Sequence, residues 1–99
     1  MHKFLEKFAL VAKGPGMYFP NGQLTEATNF VAGMDFMQDR SLGEAFGKWL
    51  LKNELESKSS VYWPTLVVYY MDKKNIKVEN QVQEFLDLFS RFLDECESE

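Results

Sequence analysis

The chain has one cysteine (Cys96), one histidine (His2), three prolines and six glycines among its 99 residues. A lone cysteine cannot close a disulfide within the chain. One histidine near the start supplies no His-x-x-x-His or Glu-x-x-His set for zinc or a di-iron centre, and no Cys-x-x-Cys exists. The expectation is therefore no metal and no cofactor. Long apolar runs are also missing. The longest covers positions 66–71, far short of the roughly 20 residues that cross a bilayer. Lys3, Glu6, Lys7 and Lys13 interrupt the first thirteen residues, leaving no signal-peptide h-region. Together with the unpaired cysteine, this points to a soluble cytoplasmic protein with no membrane partner.

Basic charge is scarce too. Lys and Arg number 11 against 15 Asp and Glu, for a net charge of −4. Neutralising phosphates needs a basic surplus, so the balance argues against nucleic acid as a partner. The charge is uneven. From position 79 onward come Glu79, Glu84, Asp87, Asp94, Glu95, Glu97 and Glu99, with Arg91 the single base among them. Lys3, Lys7 and Lys13 tilt the N-terminal stretch the other way. Such asymmetry concerns partners and solubility rather than fold.

What the chain does have is apolar bulk: 45% hydrophobic residues, with nine Phe, four Tyr and two Trp. That suffices for one packed core and, at this length, one domain over 1–99. The apolar positions recur at helical spacing. Phe4, Leu5, Phe8, Val11 and Ala12 mark a helix over 2–13, stopped by Gly14-Pro15-Gly16. A loop over 14–23 comes next, pinned by Met17, Tyr18 and Phe19. Over 24–38, Ala27, Phe30, Val31, Met34 and Met37 share a face, with Thr25 as the cap and Gly33 read as the close approach of another helix. Ser41-Leu42-Gly43-Glu44 fits a capping box opening a third helix with Leu42, Ala45, Phe46, Trp49 and Leu50 inward. Residues 61–71 are rich in Val and Tyr, which strands favour. Pro64 suits the first turn of a helix instead, and no neighbouring strand offers pairing, so helix is favoured. The last segment, 78–97, places Val78, Val82, Phe85, Leu86, Phe89, Phe92, Leu93 and Cys96 on one stripe. The sum is an all-α bundle of about five helices.

Catalytic groupings fail for want of named partners. Cys96 has only distant His2 as a base, and Ser41, Ser59, Ser60 and Ser90 lack triad partners. Carboxylate pairs such as Asp35 with Asp39, or Asp94 with Glu95, read as solvent-facing helix surface. Gly14-Pro15-Gly16 succeeds a helix and lacks the Gly-Lys-Ser/Thr ending of a phosphate loop. Pro15-Gly16-Met17-Tyr18 matches a stretch of the gyrase B ATPase domain, but the Asp-x-Gly-x-Gly segment of that site is absent. Tyr62, Trp63, Tyr69 and Tyr70 have few bases beside them, so core packing is favoured over stacking on single strands. No catalytic residue emerges, and the chain reads as a binder rather than an enzyme. The polar side of the last helix, with Glu84, Asp87, Arg91, Asp94 and Glu95, is either a solvated face or a docking surface for a basic partner.

The succession of motifs has a likeness. Lys13-Gly-Pro-Gly-Met-Tyr18 precedes Asn29-Phe30-Val31-Ala32-Gly33-Met34, then Phe46-Gly47-Lys48-Trp49-Leu50, Tyr62-Trp63-Pro64-Thr65-Leu66 and Phe85-Leu86-Asp87-Leu88-Phe89. This resembles a loose family of small bacterial proteins with a Pro-Gly-Met-Tyr loop, a Phe-Ile-x-Gly-Tyr helix and a Phe-x-x-Trp-Leu helix. Met34 stands where the family often has Tyr. Members are immunity-like, and similar acidic proteins accompany toxins of contact-dependent or polymorphic toxin systems. The resemblance implies stoichiometric neutralisation of a cognate protein toxin, with a basic nuclease the natural match for an acidic inhibitor. It implies no binding residue, because the shared motifs mark the core. A helical adaptor or regulator acting through homodimerisation or partner binding is the alternative, and a monomer or weak dimer is expected.

Overall fold

A computed structural model of the chain describes residues 2–14, 16, 19, 22–36, 41–55 and 62–98, with side chains for 6–14, 16, 19, 22–36, 42–55 and 62–95. Among the described residues, five α-helices of ten residues or more succeed one another: α1 (His2–Lys13), α2 (Leu24–Phe36), α3 (Ser41–Leu50), α4 (Trp63–Lys73) and α5 (Val78–Ser98). A π-helical turn, Leu51–Leu55, prolongs α3. No strand occurs among the described residues, so the all-α reading holds. The radius of gyration, 12.7 Å, matches the roughly 13 Å of a compact chain this long.

The Val- and Tyr-rich segment is helical for a local reason. Pro64 occupies the first turn of α4, where an N–H would have no partner in the helix. At the far end Asn75 takes a left-handed conformation (φ 54°). Its N–H donates to the Asp72 carbonyl (3.2 Å), and that of Ile76 to Met71 (3.0 Å). This is a Schellman stop with Asn in the usual glycine place.

The core is built from rings. Phe46 of α3 and Phe85 and Phe89 of α5 are fully buried, with Phe46 and Phe89 centroids 4.6 Å apart. Trp63 of α4 stacks on Phe85 at 5.9 Å, and Phe8 brings α1 onto Phe89 at 5.2 Å. Each such side chain stabilises the fold by roughly 1.5–3 kcal/mol through burial.

Several local expectations change. Thr25 lies inside α2, which starts one residue earlier, so it is not the cap. The amide of Gln23 instead donates to Glu26 Oε1 at 3.2 Å, half of a capping box. Gly33 faces open space, and the close approach is at Gly43. A Cβ there would overlap the Trp63 indole nitrogen and lie 2.8 Å from Asp35 Oδ2. Val78 is 74% exposed and leaves the stripe, while Leu88 joins the core. Of the four aromatics assigned to packing, Trp63 and Tyr70 are buried but Tyr62 and Tyr69 stand exposed. Phe30 is also exposed. Met17, Tyr18, Met37, Asp39, Ser59, Ser60 and the side chains of Phe4, Leu5, Ser41 and Cys96 lie outside the described residues.

Candidate functional site

A helix repeats every 3.6 residues, so positions 84, 87, 91, 94 and 95 fall on one side of α5. The opposite side buries Phe85, Leu86, Phe89, Phe92 and Leu93. All five sequence-predicted residues thus share a face. They do not share surroundings.

About three turns of helix separate Glu84 from Glu95 at the ends of this face. At the first, the Tyr70 hydroxyl of α4 donates to Glu84 Oε2 at 2.5 Å, and Gln83 Nε2 donates to Asp87 Oδ1 at 3.0 Å. Burial, and then the Glu84 carboxylate that accepts its hydrogen bond, push the Tyr70 pKa well above the ordinary tyrosine value; Glu54 raises it further and Arg91 opposes. The neutral phenol is therefore a dependable donor, and Glu84 is committed to holding α4 against α5.

At the second end, Arg91 pairs with Glu54 of the π turn, and its guanidinium carbon sits 5.4 Å from the centre of the Trp49 ring. Trp49 Nε1 donates to Glu95 Oε2 at 2.8 Å. The ring's packing on Phe46, 6.0 Å away and nearly parallel, ties this surface cluster to the core. Lys73 of α4 donates to the Glu54 carbonyl at 3.2 Å. Three elements therefore converge on Glu54 and Trp49. Neither stood out in the sequence: Trp49 read as core, and Glu54 fell near the end of the third helical segment, beyond its inward positions. Only the tertiary fold brings position 54 to position 91.

A second feature lies between the end of α2, α3 and the start of α4. An open cavity of about 740 Å³ is lined by Asp35, Phe36, Glu44, Lys48, Tyr62 and Trp63, among others. Asp35 is not the solvent-facing carboxylate expected. It is 3% exposed, and its two oxygens accept the amides of Leu42 (3.1 Å) and Gly43 (2.9 Å). A carboxylate on two amides of a helix start is charge-assisted and complements the dipole there. Asp35 therefore caps α3 from α2.

Among the described residues, no group of three or more His, Cys, Asp or Glu side chains is placed to hold a metal ion. No helix among them is long and apolar enough to cross a membrane. Compared with protein-family models, with curated proteins and with solved structures, the chain matches none.

Proposed function

We propose that the protein is a stoichiometric protein binder, an immunity-type inhibitor that neutralises a basic toxin domain in the bacterial cytoplasm through the charged face of α5. The observation that carries this reading is the fixed cluster at that face. Arg91 and Glu95 are held by Glu54 and Trp49 beside the exposed carboxylates of Asp87 and Asp94. Side chains already ordered before contact lose less conformational freedom on binding. Trp and Arg are the residue types that most often dominate interface energies. Acidic charge steers a basic partner and fixes its register, as a nuclease surface adapted to polyanions requires. The immunity role itself rests on the sequence resemblance, and the protein acts as an occluding surface with no chemistry of its own.

Co-expression with the product of the adjacent upstream reading frame tests the proposal. The expected result is restored growth and a complex that co-purifies at one-to-one stoichiometry. Growth arrest without a complex contradicts it. The alternative, self-association, draws on the exposed Tyr62, Val68 and Tyr69 along α4; light scattering that gives twice the chain mass favours it.

A further inference from the structure

Two glycines one turn apart, Gly43 and Gly47, bring the backbone of α3 against the start of α4. A Cβ at Gly47 would come within 3.3 Å of the Trp63 Cβ, and one at Gly43 would overlap the Trp63 indole at Nε1. Trp63 and both glycines line the cavity between α2, α3 and α4, so the nitrogen-bearing edge of the ring sits at its wall. Trp63 is 5% exposed. Among the described residues its N–H meets no acceptor, yet no polar side-chain atom of theirs is both sealed and unpartnered. The N–H therefore opens into the cavity that its ring borders. A donor so placed is best satisfied by an acceptor brought from outside.

The rest of the lining says what carries that acceptor. Phe36 and Tyr62 stand exposed at the rim, and Leu51 and Leu66 lie further in. The charged residues are Asp35, Glu44 and Lys48, two carboxylates against one ammonium. We infer that the cavity receives an aromatic residue of a partner polypeptide, a Phe or Tyr whose ring lies against Tyr62 and whose neighbouring backbone carbonyl accepts the Trp63 N–H. Its volume of about 740 Å³ lies within the roughly 300–1,000 Å³ of ligand sites, room for a ring with an amide on either side. A neutral carbonyl suits an N–H beside Asp35, whereas a carboxylate ligand meets like charge from Asp35 and Glu44. A ring gains contact with Tyr62 beyond its buried area. The open mouth lets a chain continue on both sides, where an isolated small ligand would stay partly in water. None of the residues lining the cavity belongs to α5, so the inference stands apart from the charged face.

The indole N–H resonances of isotope-labelled protein test it. The chain has two tryptophans; the other, Trp49, already donates to Glu95 and serves as the reference. The probes are N-acetyl-phenylalanine amide, its counterpart with a free carboxylate, and N-acetyl-leucine amide. The first is expected to move the Trp63 signal saturably and to leave that of Trp49 in place. The other two are each expected to bind at least about threefold more weakly, one through like charge and one for want of a ring. Tyr62→Ala is expected to weaken the first probe roughly three- to tenfold. The Tyr62 side chain is exposed and makes no capping hydrogen bond, so this variant keeps the fold. Tyr69→Ala, exposed on α4 outside the cavity, is expected to change nothing. No saturable Trp63 shift, equal shifts of both indoles, a free carboxylate or leucine amide that binds as tightly, or undiminished binding in Tyr62→Ala overturns the proposal.

Discussion

A carboxylate fixes each end of α3 to another element, and the two attachments differ in kind. At the start, Asp35 reaches from α2 into a buried position and accepts two backbone amides. At the finish, Glu54 of the π turn pairs with Arg91, whose side chain is 57% exposed. Water decides what each is worth. Removing a buried acceptor leaves amides with no partner, whereas breaking the second attachment returns the Arg91 charge to solvent and leaves Glu54, 17% exposed, still within reach of water. The start of α3 is accordingly a structural fixture, and its end is free to serve recognition.

Emptying the buried end should have the largest effect. Asp35→Ala is expected to cost roughly 2–4 kcal/mol, as a lost cap plus unsatisfied buried amides, measured by urea unfolding at pH 7. Gly43→Ala comes next. Its Cβ overlaps the Trp63 ring and the Asp35 carboxylate, and overpacking of this kind costs about 1–3 kcal/mol. At the exposed end, Arg91→Ala is expected to cost no more than about 1 kcal/mol. If it destabilises as much as Asp35→Ala, the two ends are alike and the contrast fails.

Two smaller effects lie away from the ends of α3. Gly33 sits exposed within α2 with nothing near a Cβ, so Gly33→Ala should stabilise the protein by up to about 1 kcal/mol. A loss of stability there would mean that the position is packed after all. Tyr70 gives a pH signature. Its pKa is raised in the folded protein, so its contribution is complete below the unfolded tyrosine value near 10 and is lost as pH rises beyond it. Thermal midpoints of the wild type should fall more steeply above pH 10 than those of Tyr70→Phe. Parallel curves would leave the Tyr70 hydroxyl without a role in stability.

The legible parts of the fold were those written in short-range pattern. The stripe of α5 and the stop at Gly14 arise from local spacing and backbone chemistry, as does Pro64 at the opening of α4. The glycine assignment failed because spacing shows that a glycine is present but not which neighbour meets it. Gly33 and Gly43 look alike in sequence, and only the Trp63 indole distinguishes them. Asp35 looked like surface for the same reason: its partners are amides seven and eight residues away across a turn between helices. The candidate face was half visible. Helical periodicity collected Glu84, Asp87, Arg91, Asp94 and Glu95, but nothing in it reveals that Tyr70, Trp49 and Glu54 hold three of them from other elements.

If α5 binds a basic protein through its charged face, calorimetric titration with that partner should register the charge. The titrant is the product of the adjacent upstream reading frame, measured against the wild type and the folded double variant Asp87→Lys with Asp94→Lys. The expected result is a one-to-one complex, weakened about tenfold or more by the charge reversal and by added salt. Equal affinity for both proteins, or no heat with either, contradicts binding through this face.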